Sequence, residues 1–398
     1  MISDPTESFQ RISPFCINLA KSPSVEIVRD LENTLKLIKG DDISKMLEYV
    51  IFPLKLILKT PSQSQELKQA VVECIKTLLT RGRVRSRETF EEIFTQLCVS
   101  LSSKGPENYS ADLSEELIAS ILSCIKVLFD CSALTLKSCL YSPRFLPALG
   151  HCVTLLLSIA EQERSKALKL SSVKCLGTIA FCHTNAIVQS EAFELVNAVR
   201  TSSSEAFASF LPGISMSLCR VATSDSLQKH SVIATTLDTW GGILELVMND
   251  EFYPHMADVD DIAIKIANLS ATGVTGNQNN NTAKQDEKLH AESNGIIDKV
   301  KSLVVYRDKA WFEKTATNLK VLIDKTAALV NHPNWKVRLA VVHFARRLVL
   351  NCTKSMQNCI SAFINFLVTL VTDGFEQVSS EAKSVLKLFS KCKFDDGK

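Results

Sequence analysis

Glycine and proline are scarce, 13 and 11 in 398 residues, about half the share of an average globular chain. That scarcity excludes collagen-like and turn-rich β-sandwich folds and argues for a helix-rich, well-packed chain. An excess of one charge is missing too. Lys and Arg number 45 against 43 Asp and Glu, a formal +2, so the global field that draws a protein to DNA or RNA is absent. No apolar stretch reaches the roughly 18 uninterrupted residues of a membrane span; the densest runs are broken by His151, Thr154 and Asn365. The start, MISDPTESF, carries no basic segment followed by an apolar one, so no secretory signal is expected. These absences predict a cytoplasmic chain, with the nucleus as a second location, and no membrane or nucleic-acid partner.

Catalytic and ligand motifs are equally absent. Thirteen cysteines include no C-x-x-C pair, and a chain this long has no need of a disulfide framework. Zinc wants four ligands, usually from closely spaced pairs, whereas Cys74, Cys124 and Cys175 are spread along the chain at equivalent positions and read as small buried hydrophobes. Cys352 and Cys359 read the same way. None of the seven histidines, His151, His183, His230, His255, His290, His332 and His343, falls in an H-E-x-x-H or H-x-H pattern or beside a recognisable nucleophile. There is no phosphate-cradling glycine loop; Gly241 and Gly242 sit inside a helical pattern, where close helix packing or a kink is the expected cause. No catalytic, metal or cofactor-binding residue is predicted, and the chain is not expected to be an enzyme.

What the sequence does contain is repetition. The stripe Val337, Val341, Phe344, Ala345, Leu348 recurs 41 positions on as Val378, Ala382, Val385, Leu386, Phe389. The preceding stripe Leu319, Leu322, Ile323, Thr326, Val330 recurs at the same offset as Ile360, Phe363, Ile364, Leu367, Val371, with the turns HPNW and TDGF between. In the N-terminal half Leu67, Val71, Cys74, Ile75, Leu78 recurs at offset 50 as Leu117, Ile121, Cys124, Ile125, Leu128, and 51 further as Leu168, Ser172, Cys175, Leu176, Ile179. Every stripe follows the i, i+3 or i+4, i+7 spacing of an amphipathic helix. Helix pairs are predicted over 5–40, 43–80, 87–130, 145–182, 207–248, 306–351 and 355–391. Units of 40 to 50 residues suit the HEAT or armadillo class better than the 33- or 34-residue ankyrin and tetratricopeptide units. One pair cannot bury its apolar face alone, so neighbours must stack. The predicted fold is all-α, a right-handed α-solenoid of HEAT/armadillo-like helical hairpins.

Residues 270–295 break the pattern: they lack apolar periodicity and are rich in Gly, Asn, Thr and charge. They are read as a disordered insertion between an N-terminal array, 1–269, and a C-terminal array, 296–398, serving either as a tether or as a segment that folds on a partner. Two clusters are candidates for protein binding. Arg81, Arg83, Arg85 and Arg87 form a basic run between helices, suited to an acidic partner or to a nuclear-localisation role, or simply solvated. Trp335, Lys336 and Arg338 sit at the turn of the sixth pair, where Trp and Arg are either interface anchors or the plug and tie of the repeat.

Four phrases carry a family likeness: FPLKLILKTP at 52–61, LLLSIAEQERSK at 155–166, FASFLPGIS at 207–215 and HPNWKVRL at 332–339. In this order and at these separations the chain resembles the N-terminal portion of the Tel-two-interacting protein one family, the HEAT-repeat scaffold of the Triple-T complex. The resemblance implies a non-enzymatic co-chaperone scaffold that holds Tel-two and a second Tel-two-interacting protein. It also implies work with heat-shock protein ninety and its R2TP adaptor on phosphatidylinositol-3-kinase-related kinases such as mTOR, ATM and ATR, hence roles in growth signalling and the DNA-damage response. Family members are longer, so the chain looks like a shortened form lacking C-terminal repeats, and KCKFDDGK offers no evident polar cap. The alternative, an importin-like transport adaptor, requires a ladder of exposed Trp and Asn, which three tryptophans cannot supply.

Overall fold

The computed structural model describes residues 5–102, 112–184, 192–224, 229–254 and 305–395. Helices dominate, and no strand occurs among the described residues. They are α1 (Pro5–Lys21), α2 (Val25–Leu37), α3 (Gly40–Lys59), α4 (Gln65–Arg81), α5 (Arg87–Leu101), α6 (Glu115–Cys131), the single turn α7 (Leu134–Lys137), α8 (Leu146–Gln162), α9 (Lys166–Ala180), α10 (Phe193–Thr223), α11 (His230–Met248), α12 (Lys309–Lys325), α13 (Trp335–Asn351), α14 (Gln357–Leu370) and α15 (Glu376–Asp395).

Sequence signals set these boundaries. Ser24, Ser64, Ser86, Ser114 and Asp308 each accept a hydrogen bond from the backbone N–H three residues on, and Asn334 caps α13 by accepting from the Lys336 N–H two residues on. Such caps satisfy donors that the first turn leaves without a helical partner. Acidic side chains follow in the first turns and basic ones close several last turns, as the helix dipole favours.

Pairs stack in two layers. One layer holds α1, α3, α5, α8, α10, α12 and α14, each packed on the next; the other holds α2, α4, α6, α9, α11, α13 and α15 in the same succession. Each helix also meets its hairpin partner, the sixth pair through the 3-10 turn Thr326–Asn331. This is the predicted α-solenoid, and the pair count of seven holds among the described residues. The repeated stripes form its core: Leu67, Val71, Cys74, Ile75 and Leu78 are buried, as are their counterparts around Cys124 and Cys175. Burying each large apolar side chain contributes about 1.5–3 kcal/mol, and no pair could supply that without its neighbours.

Two expectations need correction. The fifth pair does not begin at 207; α10 starts at Phe193. The run TSSSEAF looks like a break because Ser competes for backbone hydrogen bonds. Here Ser203 and Ser204 are fully buried and donate across the stack, to Ala180 O at 3.1 Å and Leu246 O at 2.7 Å, closing the ends of α9 and α11. Interrupted apolar helices also reach membrane-spanning length. Two helical stretches, Pro143–Gln162 and Phe193–Thr223, are long and apolar enough by length and composition to cross a membrane. Half or more of each window is covered by neighbouring helices, as a stack helix requires.

The segment 270–295 lies outside the described residues. On either side of it the layers continue, α12 packing on α10 and α13 on α11. The α11–α13 seam is cross-bonded. Trp240 packs on Phe344 at 5.1 Å, and Arg347 donates to Asp238 at 3.0 Å and Glu245 at 2.9 Å. Asn351 donates to Glu245, and Asp250 accepts from Thr353 Oγ1 and from the backbone N–H groups of Lys354 and Ser355. Arg307 reaches back to Ser204 and the Val247 carbonyl. Gly241 and Gly242 explain themselves at this seam. A Cβ on Gly241 would lie 2.8 Å from Phe344, and one on Gly242 2.6 Å from Phe181, so the missing side chains let both rings close onto α11.

Candidate protein-interaction surface

The four arginines of the basic run do not form one patch. Arg81 ends α4 half-buried and donates to the Ile38 carbonyl at 2.9 Å, tying α4 to the end of α2. Arg87 opens α5 and pairs with Glu91 at 2.7 Å, one turn on. Arg83 and Arg85 are exposed. Between them Val84 is buried, and the Arg83 N–H donates to Ser44 Oγ at 2.9 Å, so the linker is held against α3. Two charges remain outward for an acidic partner, and two serve the fold.

The second cluster is drawn together with residues of the next repeat. Trp335 stacks on Phe375, ring centroids 5.8 Å apart and planes 18° apart, with Lys336 over its face at 5.7 Å. Arg338 donates to both carboxylate oxygens of Asp373, at 2.6 and 2.9 Å, and to the His332 and Pro333 carbonyls. Its guanidinium also lies over Phe375. That hydrogen bond holds the Asp373 carboxyl below its usual range against the opposing effect of burial. His332 Nδ1 accepts from the Asn334 N–H, which shapes the HPNW turn ahead of the cap. Arg338 therefore acts as a tie between the sixth and seventh pairs, while Lys336 is exposed and Trp335 half-buried. The other two tryptophans are packed: Trp240 is fully buried and donates to Ser215, and Trp311 meets Phe312 edge to face. No exposed Trp ladder of the kind a transport adaptor uses is present among the described residues.

Sequence reasoning did not find a cleft of about 560 Å³ lined by Phe181, His183, Thr184, Arg200, Asp238, Gly242, Glu245, Leu246 and Arg347. Its volume lies in the small-ligand range. Its charges are mutually engaged: Arg347 as described above, and Arg200 with Glu251 at 2.7 Å. Burial pushes His183 down to about 4, with Arg200 adding to the effect, so its imidazole is neutral near pH 7. A neutral histidine could serve as a base, but the hydroxyl beside it, Thr184 Oγ1, donates to the Phe181 carbonyl instead. The wall thus lacks the coupled nucleophile and base that acyl or phosphoryl transfer requires. No sequence signal marks this cleft, because its residues come from α10, α11, α13 and the segment 181–184 after α9.

Burial dominates the thiols as well. Cys74, Cys124 and Cys175 are buried with pKa values raised by desolvation, and Cys16, Cys139 and Cys359 are pushed up to about 12. Among the described residues no three His, Cys, Asp or Glu side chains converge as metal ligands.

Comparison with known proteins agrees with this picture of a repeat stack. Residues 9–374 match the family described as the TTI1 N-terminal TPR domain. The human TELO2-interacting protein 1 homolog is 31% identical over 393 residues, 97% of this chain and 32% of the relative. The yeast TEL2-interacting protein 1 is 22% identical over 399 residues, 94% of this chain and 34% of the relative. The chain spans about a third of the length of the curated relatives it matches. A designed armadillo repeat protein aligns over 95% of this chain and 99% of its own, at 12% identity and a TM-score of 0.35, too loose a superposition to argue from. The family's description uses the name of a 34-residue unit. Here α2, α4, α6 and α9 begin at 25, 65, 115 and 166, and α13 and α15 at 335 and 376, so the pairs are longer.

Proposed function

This chain belongs to the TTI1 N-terminal TPR domain family, and from that membership we propose that it is a non-enzymatic scaffold that presents protein partners along an extended helical surface. The relatives' names mark Tel-two as the first partner. The second Tel-two-interacting protein, the heat-shock protein ninety and R2TP machinery, and the kinases mTOR, ATM and ATR follow as its further partners and clients. The proposed role is that of a co-chaperone subunit in the cytoplasm and nucleus, supporting kinase maturation.

The observation that carries this reading is the two-layer stack of seven pairs among the described residues. A surface of that kind can hold several partners at once and raise their effective concentration for one another. The chemistry of the cleft between α10, α11 and α13 supports binding too, since Arg347 is engaged with Asp238 and Glu245 and Arg200 with Glu251.

Co-expression of the tagged chain with Tel-two tests the reading directly. Affinity capture should recover the two together, and mass spectrometry of a cell-derived capture should add the companion protein and large kinases. Recovery of the chain without Tel-two, or with karyopherin cargo or nucleic acid in its place, would sink the proposal. Depletion in cells should lower the steady levels of mTOR, ATM and ATR; unchanged levels would remove the client part alone.

A further inference from the structure

Exposed large apolar residues are distributed unevenly over the first layer. Helices α5, α12 and α14 each carry one, respectively Val99, Val321 and Val368, and α10 carries two far apart, Phe193 at its first residue and Met216 in its last third, while α1 carries Phe9 and Ile17; single exposed residues are ordinary for a protein surface. Helix α3 carries three in register: Tyr49, Phe52 and Leu56 are 38%, 64% and 46% exposed, and Phe9 on α1, 42% exposed, meets Tyr49 ring to ring at 5.0 Å. This is not a frayed end of the stack, because α3 has α1 on one side and α5 on the other. Its inner face is already satisfied by Ile43, Met46, Leu47, Val50, Ile51, Leu54, Ile57 and Leu58. The stripe is a second apolar face that no described residue covers.

Charge frames it. Lys45 and Lys59 are exposed, and 45, 49, 52, 56 and 59 lie alternately four and three apart, so they share one face of α3 over about 21 Å. Of the nearby carboxylates, Glu92 pairs with Lys55, Glu91 with Arg87 and Glu7 with Arg11, while Glu88 accepts from Ser86 and Glu48 from Thr89; Asp41, one turn before Lys45, is exposed. Lys45 and Lys59 make no ion pair among the described residues. The face therefore reads, end to end, as cation, aromatic, aromatic, aliphatic, cation, with Phe9 widening its centre.

We propose that this α1–α3 face docks an amphipathic helix of a protein partner, whose apolar stripe lies across Tyr49, Phe52, Leu56 and Phe9 and whose acidic residues, one near each end, meet Lys45 and Lys59. The pattern is that of helix recognition on a groove, where anchors at i, i+3 or i+4 and i+7 supply affinity and flanking charges set register. It deepens the scaffold reading by giving one surface and the chemistry of its occupant, and it rests on that reading only for the occupant being a protein.

A display library of helical 18-residue peptides, selected on the purified full chain and measured by fluorescence anisotropy, tests it. Selected peptides should carry apolar residues at helical spacing with Glu or Asp at both ends. Phe52→Glu or Leu56→Glu should weaken their binding at least tenfold, and Lys45→Glu with Lys59→Glu should weaken it severalfold and flatten its salt dependence. All four positions are exposed, so the thermal midpoint should hold. Val368→Glu, far along the same layer, should leave binding unchanged. The proposal is overturned if no such peptides are selected, if Phe52→Glu leaves their binding intact, or if the face instead mediates self-association in sedimentation or adsorption to phosphatidylserine vesicles. Tel-two capture by the wild-type chain together with no selected peptides would be a failure of this face alone, whereas loss of Tel-two capture by the wild-type chain would be a failure of the scaffold reading.

Discussion

If the stack is continuous across the stretch between α11 and α12, its integrity should not depend on the covalent link there. A specific protease site placed within 270–295 allows that link to be cut in the folded protein. The two fragments should then remain together, because α10–α12 and α11–α13 are seams of the same kind as every other in the stack. The magnitude can be worked from one side chain. Phe344 is almost wholly buried, packs on Trp240 at 5.1 Å and on Phe363 at 5.5 Å, and fills the notch that Gly241 leaves. Truncating it to Ala should cost about 3–5 kcal/mol, a loss of about a hundredfold to a few thousandfold in fragment association.

Because Phe344 also supports the sixth pair internally, Arg347→Met provides a milder probe of the seam alone. Arg347 is 39% exposed on its side chain, so its two charge-assisted bonds are discounted for solvent, to about 1–2 kcal/mol or roughly tenfold. Analytical ultracentrifugation of the cut protein reads both. Wild-type fragments that separate at micromolar concentration, or Phe344→Ala fragments that associate as tightly as wild type, would refute the continuity argument.

Other positions give sharp expectations. Arg338→Ala should destabilise by about 2–4 kcal/mol in urea unfolding, since it strands Asp373, 5% exposed on its side chain, without its partner. Asp373 is held below its usual pKa, so the pair's contribution is complete above about pH 4 and fades as pH falls through the depressed value. The Arg338→Ala deficit measured from pH 6 downward should shrink only below about pH 4. Ser204→Ala should cost about 1–3 kcal/mol by thermal unfolding, because the Leu246 carbonyl loses its donor and Arg307 its acceptor. Thiol labelling of the native chain should leave Cys74, Cys124, Cys175 and Cys352 unmodified, with the half-exposed Cys131 labelled first among the described cysteines; fast reaction of Cys124 before unfolding would contradict its burial.

The repeat was legible because its evidence is redundant. A stripe such as Leu117, Ile121, Cys124, Ile125, Leu128 is required by helix geometry, and a copy 50 residues away is required by stacking, so the two constraints agree on the same letters. The caps repeat with the core: Ser64 and Ser114 stand 50 apart and bond in the same way. Buried polar residues gave no such agreement. Ser203 and Ser204 satisfy carbonyls on helices remote in sequence, so a local reading sees only a helix-weakening run.

The candidate surfaces were harder to read for a related reason. Within α3, apolar residues fill nearly every turn all the way round, and periodicity cannot distinguish a face that meets α1, α4 and α5 from one that meets nothing. Phe52 and Leu56 stand in the same phrase as Leu54 and Leu58, yet the first two look outward and the last two are buried. Charge is equally hard to read from the sequence. The arginine run is conspicuous, yet Arg81 is bound to a carbonyl and Arg87 to Glu91 while Arg83 and Arg85 stay exposed; the isolated lysines Lys45 and Lys59, which nothing in the sequence singles out, are exposed as well. In a stack of hairpins every helix is apolar on the side that stacks. Binding capacity therefore shows as what remains after stacking is satisfied, and only the packed arrangement reveals that remainder.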